Sequence, residues 1–248
     1  MVAKRPWGVS LMTILYFASV SSSLHPANAL LKPGAVLGGA AGQGASPNNG
    51  NASGGWDREA AAAYLDERME VWFAKAKKLR TGETQTACVS CHTTVPYALA
   101  RPALRRAMQA PAATPQETRI IEETTRRVES YGAHQPLYDH NESKKTESRG
   151  TEAVLNALIL ANADAAQNRR ELGVGAQQAF KRMWETQRSD GAWDWLDFGL
   201  EPFETVDGAY YGATLAALAI GTAPGSANNH NAETKAGIGK LRGYLKEK

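Results

Sequence analysis

The chain has 248 residues, 43% of them hydrophobic and 21% charged, a composition that excludes wholesale disorder and fits one large folded domain. Its formal charge of +3 falls by two, to +1, when Lys4 and Arg5 of a removable leader are set aside, so there is no electrostatic basis for binding nucleic acid. No run approaches the roughly 20 apolar residues that span a bilayer, and two cysteines, Cys88 and Cys91, are too few for a disulfide framework.

Residues 1–29 read as a secretory signal peptide. Lys4 and Arg5 supply a basic start, Trp7 to Val20 is mostly apolar, and Ala27-Asn28-Ala29 is the small-x-small pattern that places cleavage after Ala29. The rival reading is an uncleaved N-terminal anchor, against which the shortness of the apolar run counts. A periplasmic or secreted location follows, with no membrane span once the leader is removed. Residues 30–55 form a Gly/Ala/Asn-rich segment, with eight of the 23 glycines between 33 and 55. It offers too little apolar surface to offset its ordering entropy and is expected to be a flexible linker.

A helical domain is predicted over 56–248. Leu65, Met69, Trp72, Phe73, Ala76 and Leu79 recur at steps of three and four, predicting an amphipathic helix over 57–80. Another helix is expected to start near Pro96, with Met108 beyond its Ala107 turn. Thr114, Pro115 and Glu117 form the start signal of a helix over 115–131, with a cap, a first-turn proline and a capping box. The charged stretch Asn141 to Arg149 reads as a solvated loop, and 151–165 as a well-buried helix. Further helices are predicted over 172–187, 205–221 and 233–246. No alternating run of β-branched residues competes, so the predicted fold is all-α.

The most specific chemical feature is Cys88-Val89-Ser90-Cys91-His92, the C-x-x-C-H spacing of c-type haem attachment. Two thiols at this separation can each take one haem vinyl group, and the adjacent imidazole can reach the iron. The export signal agrees with this, because such haem is attached outside the bacterial cytoplasm. Three other readings stand beside it: a local disulfide, a zinc site through Cys88, Cys91, His92 and a distant ligand, and a chance triplet. For a sixth iron ligand Met108 is named first. Met69 and Met183 fall on amphipathic faces and read as core, whereas His134, His140 and His230 read as surface residues.

The second specific feature is Gln187-Arg188-Ser189-Asp190-Gly191-Ala192-Trp193 at a helix end. It resembles the glutamine-tryptophan motif of the squalene cyclase and prenyltransferase family, whose scaffold is an α/α toroid of helix pairs. The resemblance spans about 150–221 and implies a toroid-like array, with too few helices here for a complete ring. Glycine suits a left-handed turn, the Gln amide can bond backbone groups of a neighbouring helix end, and Trp can cover the turn. The family's Asp-x-Asp-Asp acid motif is missing, so the resemblance carries fold rather than cyclase activity. The segment Asp194 to Asp207 interleaves five carboxylates with Trp193, Trp195, Phe198 and Phe203 at its edge. It reads as a solvated loop with its aromatics packed back on the helices, the alternative being a ligand or metal pocket.

Together these features predict an exported mono-haem c-type protein engaged in electron transfer or redox sensing with a redox partner protein. Cys88 and Cys91 would hold haem c, and His92, with Met108, would bind its iron. The alternatives are a toroid enzyme or binding module for an apolar, terpenoid-like ligand, with a metal or structural Cys/His cluster, and a plain helical interaction domain.

Overall fold

The computed structural model describes residues 56–81, 84–110, 112–131, 138, 140–225 and 231–248. The predicted signal peptide and linker lie outside the described residues. The fold is all-α, as its sequence predicts: the described residues form seven helices and one two-stranded hairpin in the order α1 (Arg58–Lys75), β1 (Lys78–Thr81), β2 (Thr84–Ala87), α2 (Thr94–Ala107), α3 (Pro115–Glu129), α4 (Glu142–Ala166), α5 (Val174–Glu185), α6 (Gly208–Thr222) and α7 (Ala232–Glu247). Among the described residues no helix is long and apolar enough to cross a membrane.

Two predicted boundaries change. The first helix stops at Lys75 instead of continuing to residue 80. Its expected last turn is the strand β1, paired antiparallel with β2 in the register Lys78 with Ala87 and Leu79 with Thr86. Leu79 is buried as the periodicity demanded, but from a strand. Four-residue strands are too short to show a period of two, which hides them in a helical sequence. The second change is that Asn141 to Arg149 is not a loop. Asn141 caps α4 by accepting from Lys144 N–H, and Lys144–Glu147 and Lys145–Glu142 pairs at i,i+3 support its first turns.

α4 is the centre of the molecule, packed against α2, α3, α5 and α6. Val154, Leu155, Ala157, Leu158, Ile159 and Ala161 are all essentially without solvent exposure. A helix apolar on every side is stable only when neighbours surround it, and each such Leu or Ile contributes about 1.5–3 kcal/mol by leaving water. α3 begins with the predicted capping box, Thr114 accepting from Glu117 N–H and the Glu117 carboxylate accepting from Thr114 N–H. It clamps the hairpin through charge: the Glu123 carboxylate accepts from Ala87 N–H at 2.6 Å, and the fully buried Arg127 donates to Thr86 Oγ1 at 3.2 Å and to Glu152 at 2.8 Å.

The glutamine-tryptophan segment behaves as its chemistry predicts, with one difference. Gln187 Nε2 donates to Gly191 O within the turn and to Gly237 O, both at 3.0 Å. Gly237 lies within α7, not at its end. Gly191 has φ +97°, and a Cβ there would run into the Lys240 carbonyl, so α7 can approach only a glycine. Trp193 is completely buried, donates Nε1–H to Met183 O at 2.7 Å, and lies against Trp184 with ring centroids 6.2 Å apart.

Candidate functional site

The hairpin delivers the chain directly into the cysteine pair. Cys88 N–H donates to Lys77 O at 2.9 Å, extending the register of the strands by one bond. The Trp72 indole, one turn before the end of α1, donates to Cys88 O at 2.8 Å. Ser90 then organises the turn into α2. Its backbone N–H donates to Thr94 Oγ1 at 2.8 Å, while its hydroxyl accepts from His92 N–H at 3.2 Å and Thr93 N–H at 3.0 Å. Cys88 to His92 is therefore a fixed connection between a hairpin and a helix start, tied to α1 and, through β2, to α3.

Both cysteines are free thiols. Burial pushes the Cys88 thiol up to about 11; among charges, Arg127 opposes the rise, while Glu152 and Glu204 add to it. Burial likewise pushes Cys91 up to about 12, reinforced by the Glu204 carboxylate. At neutral pH both sulfurs are protonated and uncharged.

His92 is exposed. Its Nδ1 lies 3.0 Å from Ser90 Oγ, which leaves Nε2 as the ring nitrogen available to a metal. The Ser90 oxygen already accepts two backbone N–H bonds, so its hydroxyl proton is the group left to meet Nδ1; a metal at Nε2 would require that hydroxyl to turn and the ring proton to sit on Nδ1. Aromatic rings flank the imidazole on two sides. Phe203 is stacked on it with centroids 6.2 Å apart and an interplanar angle of 22°, and Trp72 meets it edge-on at 5.9 Å. Beside His92 a cleft of about 380 Å³ opens against α1, lined by Met69, Trp72, Ala76, Pro96 and Tyr97.

The acidic-aromatic segment is only partly the solvated loop that its composition predicts. Trp193 and Trp195 do pack inward, and Leu200 and Phe198 are exposed. However, Phe203 and Glu204 turn towards the cysteine pair. Cys91 Sγ lies 3.9 Å from Glu204 Oε1, and ligand atoms of Cys91, His92 and Glu204 all fall within 4.8 Å of one another. Short backbone bonds between Leu200 and Glu204, 2.9 Å in both directions, hold this excursion in place.

The structure brings Cys88, Cys91 and His92 together but does not bring Met108 to them. Met108 caps the C-terminus of α2, fourteen positions beyond Thr94 and thus about 21 Å along the helix axis. The methionine that shares a cleft with His92 is Met69, which is also a core residue at 1% exposure. Met183 is core as well. His140 is exposed ahead of α4, and His134 and His230 lie outside the described residues. Sequence reasoning missed Ser90, Trp72, Phe203 and Glu204 as parts of this site. Ser90 was legible as the hydroxyl inside the motif, but the other three come together only through the fold. No family model, curated protein or solved structure matches the chain.

Proposed function

We propose that the protein is an exported mono-haem c-type protein that carries or senses single electrons, its haem held by Cys88 and Cys91 with His92 as iron ligand. One observation carries the reading: two unjoined, protonated thiols and an imidazole whose Nε2 makes no hydrogen bond among the described residues occupy one turn. The residues suit the group chemically. Cys88 and Cys91 would each hold the group through a thioether, the S–H adding across a vinyl C=C with no oxidant consumed, and His92 would bind its iron. Trp72 and Phe203 give the imidazole apolar walls, and Ser90 fixes its orientation. When bound, haem supplies a reversible one-electron iron centre, whose potential follows from its ligands, burial and nearby charge. A redox partner protein and a periplasmic or secreted location belong to the same proposal.

The scaffold reading goes with it. We take the helices as part of an α/α toroid resembling the squalene cyclase family, supported by the bridging Gln187 and the left-handed Gly191.

A second reading is favoured by the convergence of Cys91, His92 and Glu204. One sulfur, one imidazole and one carboxylate with a position left open is a donor set that zinc accepts. The two readings part on one experiment: express the protein with its leader in a host that has c-type haem maturation, purify it, and record visible absorption together with zinc content. A Soret band with one iron and no zinc per chain supports the first. One zinc per chain and no Soret band supports the second.

A further inference from the structure

The charges around the cysteine pair are unevenly balanced. Arg127, beneath Cys88, is matched by Glu152 at 2.8 Å, and Glu123 at the end of the hairpin is matched by Arg119 at 2.8 Å. These pairs contribute little net charge to the site, and Lys77, over the Tyr138 ring at 4.8 Å, is the further cation that acts on Cys88. Glu204 is different. Its carboxylate has the Cys91 thiol as its polar neighbour at 3.9 Å and no ion-pair partner among the described residues. It is half-buried, between Phe203 and the motif, where water screens it less than a surface carboxylate.

We infer that Glu204 is a potential-setting residue: its unmatched carboxylate, brought to the edge of the Cys88-Cys91-His92 site by the 194–207 segment, holds haem iron in the ferric state. This rests on the haem reading above. Ferric haem carries one more positive charge than ferrous haem, so a fixed anion at the site favours the oxidised form. An anion held in no ion pair among the described residues exerts that effect with less compensation than the paired Glu152 and Glu123, Lys77 beside Cys88 being the cation that opposes it. Glu204 is thus a tuning group acting through space, not an iron ligand.

The test is spectroelectrochemical titration of the haem-loaded, full-length protein and of its Glu204→Gln, Glu204→Asp and Glu201→Gln variants. Glu201 lies in the same segment, is exposed, and accepts from Thr205 Oγ1, so it serves as the control. Glu204→Gln is expected to lower the oxidised-to-reduced ratio at a fixed applied potential about tenfold, a rise in midpoint of ~59 mV for one electron. Glu204→Asp and Glu201→Gln are expected to stay within about twofold of the parent, and the oxidised and reduced spectra to be the same in all four. If Glu204→Gln does not load haem, Glu204→Ala removes the same charge and carries the same expectation. Loaded, spectrally unchanged Glu204→Gln or Glu204→Ala protein with a midpoint within twofold of the parent overturns the inference while leaving the haem reading intact. Parent protein that carries no haem overturns both.

Discussion

Phe203 lies stacked on His92, 6.2 Å between ring centroids, although the two are more than a hundred residues apart in the chain. The contact joins the cysteine motif at the start of α2 to the acidic-aromatic segment before α6. It gives the imidazole an apolar face. On the haem reading, His92→Ala removes the iron ligand but neither thiol. The expected outcome is haem that remains covalently attached while the visible spectrum of the reduced protein loses its native bands. A spectrum identical to the parent's would exclude His92 as ligand.

The buried thiols make stability depend on alkaline pH in the haem-free protein. Their folded values, about 11 for Cys88 and about 12 for Cys91, lie above the ordinary value of 9.0. The folded state therefore binds more protons than the unfolded state between these limits, and its stability falls as pH rises from about 9 towards 12. The slope is at most about 1.4 kcal/mol per pH unit for each thiol. Urea titrations from pH 8 to 11 should show a steeper loss in the haem-free parent than in the Cys88→Ser/Cys91→Ser double variant. Parallel losses in the two would contradict the raised thiols. Tyr211, whose hydroxyl is pushed up to about 12 by burial first and by Cys91 second, titrates in both proteins, and only its Cys91-dependent part enters the comparison, in the same direction as the thiols.

Gly191 carries the sharpest backbone constraint at the α5 end. Its φ of +97° strains any other residue, and a Cβ would strike the α7 backbone at Lys240. Gly191→Ala is expected to destabilise by more than the ~1–2 kcal/mol of left-handed strain alone, read as a lower urea midpoint. A midpoint equal to the parent's would show that α7 does not sit against this turn.

Trp193 offers a test of the same turn through packing. It is fully buried and donates to Met183 O. Trp193→Ala should cost about 3–5 kcal/mol, enough to remove a large part of a domain's net stability. Thr114→Ala, which removes the cap of α3 and the 3.2 Å hydroxyl contact with Tyr97, should cost about 1–2 kcal/mol. Chemical denaturation of both variants checks the order, and a Thr114→Ala effect equal to that of Trp193→Ala would contradict it.

Much of this fold was legible because long helices repeat their signals. The capping box at Thr114 and Glu117 and the apolar run around Leu155 and Leu158 each state their outcome locally. The hairpin was hidden because its strands, Lys78–Thr81 and Thr84–Ala87, are short and lie where the α1 stripe continues through Leu79. The first turns of α4 were hidden because Asn141 to Arg149 is polar, and its stability comes from a cap and i,i+3 pairs instead of from apolar periodicity. At the site, C-x-x-C-H is a local pattern and could be read directly. Phe203 and Glu204 could not, since nothing in a sequence ties position 91 to position 204 until α4 and α6 have packed. Met108 illustrates the converse: it is close to His92 in number, yet the length of α2 carries it away.

The measurement that tests the account most directly is a denaturing gel of the protein exported from a host with c-type haem maturation, developed for haem that stays with the chain. The account predicts a haem-positive band at the protein's own mobility, lost when both Cys88 and Cys91 are changed to Ser. A haem-free band from the parent, beside a control cytochrome that is loaded in the same cells, would contradict it.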